Sequence, residues 1–132
     1  MTILADTSAW VEYLRATGSP AHLELRRLIA DEAALLTTEV VVMELLAGAA
    51  GDDELARLRR LLDRFELLPV QGLADYEAAA ELYRCCRRAG ETVRKLTDCL
   101  TAVVAIRAGA PLLHRDQDFE VIARHAPLRT AG

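Results

Sequence analysis

The apolar residues of this chain fall into runs too short for anything but brief strands, and each run leads into a longer segment with helical spacing. Thr2-Ile3-Leu4-Ala5, Ala33-Ala34-Leu35-Leu36, Glu66-Leu67-Leu68-Pro69-Val70 and Pro111-Leu112-Leu113-His114 are the four runs, and residues 128–130 read as extended. Helical spacing covers 9–15, 23–31, 39–49, 54–65, 74–89, 98–108 and 116–125. It is clearest in Leu55, Leu58, Leu61 and Leu62. Val40-Val41-Val42 are β-branched and weaken the third helix, because their side chains crowd the preceding turn. Start signals precede the helices: Asp6-Thr7-Ser8, Thr37-Thr38 and Thr97 offer side-chain oxygens to unpaired backbone N–H groups. Gly90 and Gly109 supply the stops. Pro69 lacks an N–H and places the third strand at an edge or a strand end. Short strands alternating with helices predict a layered α/β fold with a mainly parallel sheet.

With 132 residues, 52% hydrophobic and 27% charged, the chain is sized for one domain and excludes intrinsic disorder as its main state. Sixteen basic against twenty acidic side chains leave a charge of −4, which excludes binding of nucleic acid by bulk positive charge. Any such contact must be local. The best local candidate is the set Arg84, Arg87, Arg88, Arg94 and Lys95, opposed only by Glu91. Cys85, Cys86 and Cys99 are odd in number and lack zinc-ligand spacing, and the chain starts without a secretory pattern. A reducing cytoplasm is the expected setting, and no apolar run approaches the roughly 20 residues of a membrane span.

Four carboxylates stand out. Asp6 directly follows the first strand and Asp116 lies just past the fourth. In open parallel sheets, ligands bind outside the carboxyl ends of strands, so both point to one edge. Asp98 sits in the first turn of the helix leading to the fourth strand, and Glu44 interrupts the apolar segment Val40 to Leu46. Each has an ordinary explanation: Asp6 as a helix cap, Asp98 as a favourable charge at the positive end of a helix, Glu44 as a residue rotated into water. Four such groups on one sheet edge have no obvious structural purpose. Their mutual repulsion requires raised pKa values or a divalent cation, and hard ions such as Mg²⁺ and Mn²⁺ favour oxygen ligands. The chemistry implied is metal-dependent phosphodiester hydrolysis.

Leu4-Ala5-Asp6-Thr7-Ser8-Ala9-Trp10, Met43-Glu44-Leu45-Leu46-Ala47-Gly48, Leu96-Thr97-Asp98-Cys99-Leu100-Thr101-Ala102 and Leu112-Leu113-His114-Arg115-Asp116-Gln117-Asp118-Phe119 together resemble the PIN-domain nucleases, in particular the VapC-type toxins of type II toxin–antitoxin systems. The motifs occur in family order and span nearly the whole chain. The resemblance implies a PIN-like three-layer αβα sandwich filling residues 1–132, with Asp6, Glu44, Asp98 and Asp116 as catalytic and metal-binding acids and Asp118 assisting or replacing Asp116. It further implies that Thr7 or Ser8 orients Asp6 or a water on the metal, that Mg²⁺ (or Mn²⁺) is the cofactor, and that the substrate is a structured RNA such as tRNA or rRNA. A homodimer is implied, as is a VapB-type antitoxin that joins it in a larger hetero-oligomer. Arg87, Arg88, Arg94, Lys95 and Arg115 are the candidate RNA-phosphate contacts.

Other classes fit less well. An aspartyl-phosphate enzyme needs a second Asp where Ser8 stands, and a receiver domain needs an acidic pair beside Asp6 and a lysine at a late strand end. A catalytically silent RNA- or protein-binding module would be expected to have lost one of the acids. A structure-specific DNA nuclease needs more chain than is present. Trp10 and Tyr13 read as core or dimer contacts, and His114 flanks the acidic loop without being required by the chemistry.

Overall fold

The computed structural model describes residues 2–131, so the expected domain limits Met1 and Gly132 lie outside the described residues. Five short strands, β1 (Ile3–Ala5), β2 (Leu35–Thr37), β3 (Glu66–Leu67), β4 (Leu112–Leu113) and β5 (Thr130–Ala131), form one sheet in the order β3-β2-β1-β4-β5. Every pairing is parallel, with Ile3 opposite Leu35, Leu4 opposite Leu112 and Leu112 opposite Thr130. The strands are connected by α1 (Thr7–Leu14), α2 (Pro20–Ala30), α3 (Glu39–Ala47), α4 (Asp52–Leu62), α5 (Gly72–Arg88), α6 (Leu96–Ala108) and α7 (Gln117–His125).

Alternation along the strands divides the core in two. Ile3, Ala5, Leu35 and Leu113 face one layer, which α1 to α4 complete with Trp10, Leu25, Leu28, Val41 and Leu62. Leu4, Leu36 and Leu112 face the other, with Leu82, Cys86, Leu100, Val104, Phe119 and Ile122 from α5, α6 and α7. This is the three-layer arrangement of a parallel sheet buried on both faces, and it explains why the strands read as continuous apolar runs. Trp10 is fully buried against Phe65 and Tyr13.

Helix ends account for the differences from the sequence reading. The third strand keeps only Glu66–Leu67, at the sheet edge, and the Leu68 N–H still reaches the Thr37 carbonyl. Thr97 does not cap α6; the cap position is Lys95, with no side-chain hydrogen bond there, and Thr97 is used elsewhere. Asp116 is a cap rather than a helical residue, accepting the Asp118 N–H. The β-branched run in α3 is helical because Val40 and Val41 are both buried, one in each core, and that burial outweighs their rotamer restriction. At the end of α6, Gly109 takes a left-handed conformation with φ of 66°, which a side chain would strain.

One ion pair, between the buried Asp75 of α5 and the more exposed Arg107 of α6, links the two helices. Asp75 accepts from the Gln71 N–H at 2.7 Å and from Arg107 at 3.0 Å, while Arg107 also donates to the Pro69 carbonyl. Burial would raise the Asp75 carboxyl, but the Gln71 N–H and the Arg107 guanidinium together hold it below the usual range. Arg107→Ala leaves this carboxylate buried without its cation and should destabilise the fold by on the order of 2–3 kcal/mol in urea titration. A loss within 0.5 kcal/mol, roughly the effect of an exposed pair, would show that the pair contributes no more than a surface contact.

Candidate active site

The strand order places β1 between β2 and β4, so the chain leaves the carboxyl ends of β1 and β4 in the one crevice where the sheet's connectivity reverses. Asp6 caps α1 from the end of β1, and Asp116 caps α7 from the end of β4. The two loops are tied together through Ser8. Its hydroxyl donates to Asp6 Oδ2 at 2.7 Å and accepts the Arg115 N–H at 2.9 Å. The Ser8 N–H donates to the same Asp6 oxygen at 2.9 Å.

Asp98 enters from the first turn of α6 and is buried, with 1% of its surface exposed. Asp98, Asp116 and Asp118 each present an oxygen within 4.8 Å of the others. Glu44 comes from the middle of α3. It is part-buried rather than turned fully into water, and Thr7 and Thr97 donate to its two oxygens at 2.7 and 3.3 Å. Thr7 therefore orients Glu44, and Ser8 orients Asp6. The role of Thr97 was hidden in the sequence because a threonine before a helix reads first as a cap.

Two consecutive cations from the α5–α6 connection face the acids. Arg94 pairs with Asp116 at 2.7 Å and with Asp118 at 3.1 Å, and its backbone N–H also donates to Asp118. Lys95 Nζ lies 3.5 Å from Glu44 and 3.7 Å from Asp98. Arg115 lies at the rim, in an open recess of about 620 Å³ that it shares with Thr92, Arg94, Asp116, Gln117 and Asp118. Arg87 and Arg88 are not brought to the cluster by any contact: Arg87 lies over Tyr83, and Arg88 pairs with Glu81 on α5. His114 packs against Phe119, and its Nδ1 accepts the Asp116 N–H at 3.2 Å, which sets the loop rather than the chemistry. Burial lowers its pKa, so the ring is neutral near pH 7.

The electrostatics reflect five carboxylates against two cations. Asp98 is pushed up to about 7, first by burial and then by the neighbouring Asp6, with Lys95 opposing. Asp6 is raised by burial and by Glu44, against the hydrogen bonds from Ser8. Burial disfavours the charged form of Lys95, but Asp98, Glu44 and Asp6 more than offset this and keep it protonated. Two carboxylate oxygens, Asp6 Oδ1 and Asp98 Oδ2, are buried without a hydrogen-bond donor. Unpaired buried acceptors are costly, and an all-oxygen set of aspartates suits a hard divalent cation. The residues present therefore fit such an ion.

Residues 3–125 match the PIN domain, and the chain belongs to that family. It is 53% identical to the ribonuclease VapC11 of Mycobacterium tuberculosis and to a VapC ribonuclease of Mycobacterium bovis, each over 98% of both chains. Among solved structures it resembles the DNA-bound VapBC complex of Salmonella typhimurium, with a TM-score of 0.78 and 19% identity over 99% of this chain and 97% of that one. The FitAB complex on a DNA fragment gives 0.75 and 20% over 98% and 94%. These structural likenesses bear on the fold: the parallel five-stranded sheet with helices on both faces is the PIN-like sandwich.

Because Asp98 binds its proton more tightly when folded than when unfolded, its contribution to the stability of the metal-free protein should fall as pH rises from about 4 through 7 and then level off. Asp98→Asn should raise the melting temperature of the metal-free protein at pH 8 by several degrees, equivalent to about 1–3 kcal/mol, and change it little at pH 5. Equal shifts at both pH values would remove the carboxylate charge as the cause.

Proposed function

We propose that the chain is one PIN domain over residues 1–132 acting as a metal-dependent endoribonuclease toxin. It cuts structured RNA, of the tRNA or rRNA class, and so inhibits translation, and a cognate VapB-type antitoxin neutralises it. The observation that carries this reading is the pair of buried, donorless oxygens on Asp6 and Asp98 at the sheet's crevice, where Asp98 clusters with Asp116 and Asp118. The 53% identity to named VapC ribonucleases over nearly the full length supports it.

Asp6, Asp98, Asp116 and Asp118 hold Mg²⁺ (or Mn²⁺), and Glu44 completes the acidic set. When bound, such an ion supplies charge neutralisation at phosphorus and activation of water for an in-line displacement. The chain's own residues do the positioning. Ser8 fixes the Asp6 carboxylate and the Arg115 backbone at once, so the β1 and β4 loops keep their separation. Thr7 and Thr97 hold Glu44 from two helices. Arg94 and Arg115, both largely exposed beside the recess, are the side chains placed to receive RNA phosphates. Arg94 can leave Asp116 and Asp118 for a phosphate at little cost, because most of its side chain already lies in water.

Two further surfaces suit the partners. A recess of about 260 Å³ between α1, α3 and α4, lined by Thr7, Val11, Leu14, Glu44, Leu45 and Leu58 among others, opens beside the acids and offers an antitoxin apolar surface next to the site. On the α5–α6 side, Tyr76 and Leu96 are exposed at an apolar recess that reaches Ala79, Ala80 and Leu100, and this face joins two copies into the homodimer. The protein works in the cytoplasm, where its RNA is, and none of its described helices is long and apolar enough to cross a membrane.

Purified protein free of antitoxin should cut total RNA at few sites with Mg²⁺ or Mn²⁺ and at none with EDTA. Asp98→Asn should lower the rate at least about 100-fold while leaving RNA affinity within a few-fold, as loss of electrostatic stabilisation predicts. No cuts with either ion by folded protein would favour a silent binding module instead. Leu96→Glu should convert the dimer to a monomer by light scattering; an unchanged mass would move the interface off this face.

A further inference from the structure

We infer that the Lys95 ammonium occupies the place of a second divalent ion, so that the acidic cluster takes one ion per chain. The inference rests on the metal-dependent reading above and concerns how the five acids divide between two kinds of cation.

The acids fall into two halves. On one side both oxygens of Glu44 are already engaged: Oε1 takes the Thr7 hydroxyl at 2.7 Å, and Oε2 takes the Thr97 hydroxyl at 3.3 Å and faces Lys95 Nζ at 3.5 Å. Asp98 Oδ1 faces the same ammonium at 3.7 Å. On the other side the second oxygen of Asp98 and Oδ1 of Asp6 are buried with no donor, and Asp116 and Asp118 lie within reach of Asp98. A small divalent ion demands near-regular oxygen coordination, and it finds unpaired oxygens only on this second side. For an ion to bind at Glu44 as well, it would have to share those oxygens with two threonine hydroxyls and displace the ammonium.

Arg94 and Lys95 differ in how they are held. Arg94 touches Asp116 and Asp118 with a side chain 72% exposed, so an ion at the aspartates displaces it into water. Lys95 occupies the cap position of α6, three residues before Asp98, and its ammonium lies between acids from two helices, α3 and α6. Its side chain remains half exposed. A lysine ammonium is a compact charge with three donors, and here it stands at ion-pair distance from Glu44 and Asp98, where its charge serves both acids. Lys95 is also the only lysine in the chain, so replacing it removes no other contact of this type.

Counting bound Mn²⁺ by the loss of the free-ion electron paramagnetic resonance signal tests this without RNA. The full chain, free of antitoxin, should bind one Mn²⁺ per chain, and Lys95→Arg should keep the count at one. Lys95→Met, checked for folding by circular dichroism, should bind two, and Lys95→Met combined with Glu44→Gln should return to one. Two ions on the unaltered chain, or a count of one that Lys95→Met does not move, would overturn the assignment to Lys95 while leaving metal dependence intact. No Mn²⁺ binding at all would overturn both.

Discussion

Everything at the active crevice depends on β1 pairing in parallel with β2 on one side and β4 on the other. Parallel pairing requires a crossover between strands, and the crossovers cover both faces of the sheet with helices. The same pairing aligns the carboxyl ends of all strands along one edge. Because β1 is central and its two neighbours are reached in opposite directions, the loops after β1 and β4 separate there and leave a crevice. Asp6 and Asp116 stand at its mouth as helix caps, so their backbone positions are set by hydrogen bonds that any α/β fold would make.

Onto this frame the protein places charges that oppose folding. Asp6 and Asp98 are buried near each other, and both are raised above the ordinary carboxylate range. The local network limits that cost without removing it. Ser8 satisfies one oxygen of Asp6, two threonines satisfy Glu44, and the α5–α6 connection supplies Arg94 and Lys95. That connection is itself anchored at its other end, where Glu91 is pulled down to about 2 by hydrogen bonds from Arg124 and from His125 on α7. One oxygen on Asp6 and one on Asp98 remain unpaired, and an active site that awaits a cation is the simplest reason for a fold to tolerate them.

Much of this was legible in the sequence. The apolar runs mark β1, β2 and β4 within a residue or two, because strands buried on both faces read as apolar throughout, whereas the third run overshoots the exposed edge strand β3 by three residues. Pro69 signalled an edge or a strand end, and β3 is an edge strand that stops two residues before it. Less legible were residues whose local explanation was sufficient by itself. Thr97 reads as a cap but donates to Glu44, 53 residues away, and Thr7 reads as a partner of Asp6 but serves Glu44. Arg87 and Arg88 read as one patch with Arg94 and Lys95, yet the chain turns at Gly90 and leaves them on α5 with Tyr83 and Glu81.

The sequence by itself determined the alternation of strands and helices, the cap at Asp6 and the identity of the acids, since these follow from local periodicity and side-chain chemistry. Only the tertiary structure decided which oxygens lack donors, which cation lies on which carboxylate, and that Glu44 is held by hydroxyls from two helices. Those relations join residues from α1, α3, α6 and the β4–α7 loop. Hydrogen bonding and Coulomb energy depend on distances of a few ångströms, and sequence spacing sets such distances only within one helix or one turn.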